Sequence, residues 1–159
     1  MTYFEDLEVG TVARFGSYAV TRDEVIAFAK SYDPQPFHLS DDAAAQTHFG
    51  RLSASGWHTC AMTMRMLVDN ITERRQAGLG SPGLDELRWL RPVFPGDVLR
   101  VETELLSKRA SQSRPEMGSF QSAVRVFNQD DALVMTMQSI GLIRLRAAYP
   151  AQASVPEAR

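Results

Sequence analysis

The residues best suited to chemistry fall in two short stretches. In the first, Tyr32-Asp33-Pro34-Gln35-Pro36-Phe37-His38-Leu39, a carboxylate and an imidazole stand close together with Pro34 and Pro36 between them. Proline fixes its own φ and pushes the residue before it out of helical geometry. Asp33 to His38 therefore reads as a stiff, non-helical loop. A pair held this firmly can position one water and exchange roles as base and acid near neutral pH. The same residues also fit a capped turn, with Asp33 satisfying backbone N–H groups and His38 packed at the surface. In the second stretch, Leu52-Ser53-Ala54-Ser55-Gly56-Trp57-His58-Thr59, Ser55 is placed to cap a helix that begins near Gly56. The unpaired N–H groups of that first turn, backed by the helix dipole, make an oxyanion hole for a carbonyl that becomes an enolate. Glycine would let a ligand approach closely. A plain serine cap beside a flexible glycine accounts for the same letters.

The surrounding pattern gives these residues a scaffold. Thr21-Arg22-Asp23-Glu24 matches a capping box, and Val25, Ile26, Phe28 and Ala29 supply an apolar face, so a short helix is expected to run to about Tyr32. Trp57 to Val68 contains one firmly charged residue, Arg65; a helix apolar nearly all round is expected to be enclosed by other structure. Gly78, Gly80, Pro82 and Gly83 should end it. Strands are expected over Thr11–Val20, Leu84–Phe94, Val98–Leu106, Ser119–Phe127 and Ala132–Arg146, with turns at Pro95-Gly96-Asp97 and Asn128-Gln129-Asp130-Asp131. The order implies an α+β architecture, a curved antiparallel sheet wrapped around a central buried helix.

At 159 residues the chain fits one domain, expected over 1–146, with a flexible C-terminal tail over 147–159. The near-neutral net charge of −2, with scattered basic residues, gives no electrostatic footprint for nucleic acid. No run is long enough to span a membrane. The acidic N-terminus lacks the pattern of a signal peptide, and the lone Cys60 excludes an internal disulfide; a cytoplasmic location is the expectation. His38, His48 and His58 show no metal-ligand spacing, so no metal is expected. His58 reads as a hydrogen-bonded core residue, and Met62, Met64 and Met66 as pliable packing. Arg88, Arg91, Lys108 and Arg109 could meet phosphates, although a solvated surface role suits each one singly.

Tyr32–Leu39, Ala54–Thr59 and Leu90-Arg91-Pro92-Val93-Phe94-Pro95-Gly96-Asp97 together resemble the MaoC-like dehydratases and (R)-specific enoyl-CoA hydratases, in family order and across roughly Phe4 to Arg146. The resemblance implies a single hot-dog fold and a lyase that reversibly hydrates 2-enoyl-CoA thioesters to (R)-3-hydroxyacyl-CoA. It implies that Asp33 and His38 activate the water, that Gly56 N–H binds the thioester oxygen and that Ser55 orders the site. Gln35, Phe37 and Trp57 would belong to the substrate loop. Gln35 replaces the family's usual asparagine, and Ser40 stands where an aspartate is frequent. No cofactor is expected, coenzyme A being part of the substrate, although an acyl-carrier-protein thioester is also compatible. A homodimer or higher homo-oligomer is implied. A hot-dog thioesterase and a non-catalytic acyl-CoA-binding protein are the rivals. The absence of Asp or Glu between Gly56 and Val68 counts against the first, and the presence of both Asp33 and His38 against the second.

Overall fold

In the computed structural model, which describes residues 1–146, the chain begins with a 3-10 turn at Phe4–Asp6 and enters β1 (Val12–Ala19). Helix α1 (Arg22–Tyr32), a 3-10 turn at Pro36–His38 and the short helix α2 (Asp41–Ala45) follow. The long helix α3 (Gly56–Glu73) leads into β2 (Gly78–Trp89), β3 (Val98–Ala110), β4 (Met117–Phe127) and β5 (Leu133–Arg144). The five strands form one sheet in the order β1-β3-β4-β5-β2, antiparallel throughout. No described helix is long and apolar enough to cross a membrane. The expected tail, 147–159, lies outside the described residues.

The sheet bends at bulges. Register shifts between Phe15 and Tyr18 in β1, where Gly16 sits at φ +86°. A Cβ on Gly16 would stand 2.5 Å from the sulfur of Met66, so glycine lets the strand press directly onto α3. The buried stripe of α3, His58, Thr59, Met62, Thr63 and Met66, recurs at the three- and four-residue spacing of one helix face. Met62 and Met66 join Leu99, Val101, Val124, Val126, Val134 and Met135 in the core.

Three expectations need correction. The glycine-rich run after α3 is the first half of β2, not a terminator that precedes a strand at Leu84, and β2 stops at Trp89 rather than Phe94. Its glycines are tolerated because β2 is an edge strand paired only with β5. The loop after α1 is not wholly irregular: Asp33, before Pro34, stays out of helical geometry, but Pro36 opens a 3-10 turn, as suits a proline at a first helical position. Finally, α3 is not enclosed all round: Trp57, Met64 and Val68 are exposed.

Candidate active site

α1 delivers Asp33. The Thr21 side chain caps its N-terminus by accepting from Glu24 N–H, and the helix ends where Asp33 N–H donates to Ala29 C=O. Gln35 N–H donates to Asp33 C=O and His38 N–H to Gln35 C=O, which folds the loop so that both side chains point the same way. His38 Nε2 lies 3.5 Å from Asp33 Oδ2. His38 is buried, with 5% of its surface exposed, and Phe37 packs edge-on against its ring at 4.7 Å.

The segment before α3 supplies the rest. Ala54 N–H donates to Val93 C=O, and Leu52 N–H donates to Asp41 Oδ1, pinning Ser53-Ala54-Ser55 at its centre and just ahead of its start. Ser53 C=O lies 2.7 Å from His38 Nδ1. A carbonyl can only accept, so Nδ1 carries a proton, and in the ring's neutral form Nε2 offers a lone pair toward Asp33. Ser55 Oγ donates to Asp33 Oδ2 at 2.7 Å and accepts from Trp57 N–H at 3.3 Å. Gln35 Nε2 donates to Asp33 Oδ1 at 2.7 Å; the arm that is longer than asparagine folds back onto the carboxylate. Partial burial pushes the Asp33 carboxyl up. Hydrogen bonds from the Ser55 hydroxyl and the Gln35 amide, joined by attraction to His38 when that ring is protonated, outweigh it and hold Asp33 below the usual carboxylate range.

A water between Asp33 Oδ2 and His38 Nε2 would meet two acceptors and donate one proton to each, leaving its lone pairs free to attack. Gly56 begins α3, and its N–H meets no acceptor among the described residues. The glycine serves a different purpose from the one expected. A Cβ there would stand 2.5 Å from Trp89 Cε2, so the space beside its Cα is filled by the Trp89 indole rather than left open for a ligand. Trp57 is exposed and meets Trp89 edge-on at 5.3 Å.

Asp33, Gln35, His38, Ser55 and Gly56 thus converge at the entry of α3, whereas Phe37 buttresses the histidine and Trp57 stands on the outer face. Sequence reasoning missed Ser53, which acts through its backbone, and Trp89, which arrives from β2. His58 is buried, but it faces Glu24 at 3.8 Å and its Nδ1 has no partner among the described residues.

A curved antiparallel sheet packed on one long helix is the hot-dog fold, here with a carboxylate–imidazole pair at the helix entry. Residues 6–125 match the model of the MaoC like domain, and the chain belongs to that family. It is similar to the MaoC-like dehydratase from Rhodospirillum rubrum, at 37% identity and a TM-score of 0.84, over 92% of this chain and 99% of that one. An (R)-hydratase from A. caviae involved in PHA biosynthesis superposes with a TM-score of 0.63 at 28% identity, over 87% and 98%. A 3-hydroxybutyryl-CoA dehydratase from Methylorubrum extorquens is 33% identical over 105 residues, 65% of this chain and 63% of that protein.

Proposed function

We propose that the protein catalyses reversible hydration of a 2-enoyl thioester, with Asp33 and His38 as its acid–base pair. The observation that carries the reading is the pair of acceptors, Asp33 Oδ2 and His38 Nε2, 3.5 Å apart and so close enough for one water to bridge from the side, with the unpaired N–H of Gly56 beside them. The thioester carbonyl accepts from Gly56 N–H, which draws electrons toward oxygen and leaves C3 electrophilic. Water donating to both side chains attacks C3 and gives its proton to His38 Nε2. The Asp33 carboxylate stabilises the imidazolium, which returns that proton to C2. Both new bonds form on one face, so the addition is syn. The (R)-3-hydroxyacyl product follows from likeness to the (R)-hydratase. The thioester itself accepts the electrons, and coenzyme A or an acyl-carrier protein would bear it. The Gln35 amide holds Asp33 from the side opposite Ser55.

The active form is a homodimer. β2 presents an unpaired edge carrying exposed Leu79, Leu84 and Trp89, and an edge of this kind is stabilised by pairing with a second copy. Sedimentation of the active species should give a dimer or larger; a fully active monomer refutes this.

The decisive test follows loss of enoyl absorbance with crotonyl-CoA. Asp33→Asn and His38→Ala should each lower kcat/KM by at least about a hundredfold while still unfolding cooperatively, with His38→Ala less stable because it empties a buried site. Near wild-type turnover in both variants would overturn the assignment. Release of free thiol from a saturated acyl-CoA, with no hydration, would point instead to a thioesterase.

A further inference from the structure

A second group of polar side chains lies behind the acid–base pair. Between α1 and α3 is a hollow of about 340 Å³ lined by Tyr18, Glu24, Phe28, Tyr32, His58 and Met62, among others. Two of its walls continue from the site. Tyr32 immediately precedes Asp33. His58 lies on α3 three residues after Ser55, on the same helix face, and Ser55 Oγ is bonded to Asp33. A chain attached to a carbonyl at Gly56 therefore has this hollow within its reach.

The hollow is not built for a plain alkyl chain. Tyr18 O–H donates to Glu24 Oε1. Burial, then the Glu24 bond, pushes the Tyr18 phenol up to about 12, so the hydroxyl keeps its proton. His58 Nε2 stands 3.8 Å from the same Glu24 oxygen, too far for a good hydrogen bond. Its ring lies flat against Phe28, with centroids 4.7 Å apart. Burial holds His58 neutral against the pull of Glu24. The carboxylate favours the tautomer with hydrogen on Nε2, leaving the buried Nδ1 as an unpaired acceptor.

We propose that this hollow receives the far end of the acyl group, and that Glu24 and His58 select a tail bearing an uncharged group that both donates and accepts a hydrogen bond, a hydroxyl or primary amide. The inference rests on the hydratase reading for the orientation of the substrate. A tail hydroxyl would accept from His58 Nε2–H and donate to Glu24, bridging two groups that stand 3.8 Å apart, too far to bond well directly. A methyl would leave His58 Nε2–H without a close acceptor, and a carboxylate would be repelled by Glu24.

The test measures binding without turnover. Unreactive S-alkyl-CoA thioethers of graded length, ending in a methyl, a hydroxyl or a carboxylate at equal heavy-atom count, are titrated against tryptophan fluorescence or by calorimetry. At one chain length the hydroxyl form should bind at least about tenfold more tightly than the methyl form, and the carboxylate more weakly than either. Glu24→Gln and His58→Leu should bring the hydroxyl-to-methyl ratio toward unity, a change that a merely structural role for these residues would not produce. A ratio near one at every length in the wild type, or a ratio that survives both substitutions, overturns the proposal. Hydration of crotonyl-CoA is measured alongside. Hydration without hydroxyl preference sinks this inference alone, whereas hydroxyl preference without hydration sinks the hydratase reading and leaves the hollow as a binding site.

Discussion

Replacing Gly56 with alanine sets two effects of opposite sign against each other. At the first position of α3, alanine should stabilise the helix by about 0.5–1 kcal/mol through its lower backbone entropy. The new methyl, however, would stand 2.5 Å from Trp89 Cε2, 2.7 Å from Cδ2 and 2.9 Å from Nε1. Ordinary van der Waals contact needs about 1 Å more against the nearest of these atoms, so the whole indole must shift. Overpacking of this kind costs about 1–3 kcal/mol. Because Trp89 is 46% exposed, it can swing outward, and the cost should fall toward the lower end of that range. The net expectation is a loss of at most about 0.5 kcal/mol in Gly56→Ala. In a chain of this size that lowers Tm by no more than about 2 °C. Trp89→Ala removes the obstacle, so adding Gly56→Ala to that background should stabilise rather than destabilise. The double-mutant cycle should show a coupling of at least about 1 kcal/mol. Urea unfolding of the four proteins measures it, and the Trp57–Trp89 contact provides a fluorescence signal in the two variants that keep Trp89. If alanine has the same effect with and without Trp89, the claim that the indole requires this glycine is refuted.

Other outcomes can be stated briefly. Ser55→Ala removes the α3 cap, worth about 1 kcal/mol, and takes a donor from Asp33. Losing that donor raises the Asp33 pKa, so the acidic limb of the kcat/KM profile should move to higher pH; an unmoved limb would show that the hydroxyl does not tune the carboxylate. His58 is held below its ordinary 6.5 by burial. The unfolded chain therefore binds a proton as pH falls past 6.5 while the folded chain does not. Its contribution to stability is present above 6.5 and declines on acidification toward the folded-state pKa. Denaturant midpoints of His58→Gln should fall less steeply than wild type over that window, and equal slopes would contradict the assignment.

Much of the fold was legible because its signals are local. Thr21-Arg22-Asp23-Glu24 announced α1, the Ser55 cap announced α3, and the alternation in Val98–Leu106 announced β3, although hydrogen bonding with β4 carries that strand on to Ala110. The Gly78–Gly83 stretch was misread because its strand character comes from pairing with β5 and not from its own side chains. α2 escaped notice, since Asp41–Ala45 is too short to show a periodicity and stands on the Ser40 cap. Asp33, His38, Ser55 and Gly56 stood out by type and spacing. The Ser53 carbonyl could not, because any residue has one, and neither could Trp89, which meets Gly56 only after the sheet has folded back over the helix.

The tripeptide Ser53-Ala54-Ser55 grips His38 through its first carbonyl and Asp33 through its last hydroxyl, and it sets the start of α3 where Gly56 offers its amide. Base, carboxylate and oxyanion donor are thus surveyed from a common benchmark only three residues long. A shift of α1 or of the sheet would carry this benchmark and its dependents together, so errors made elsewhere in the molecule would not accumulate between the reacting groups. Such a layout lets the outer walls drift in sequence and reshape what they accommodate without each change requiring the chemistry to be aligned afresh.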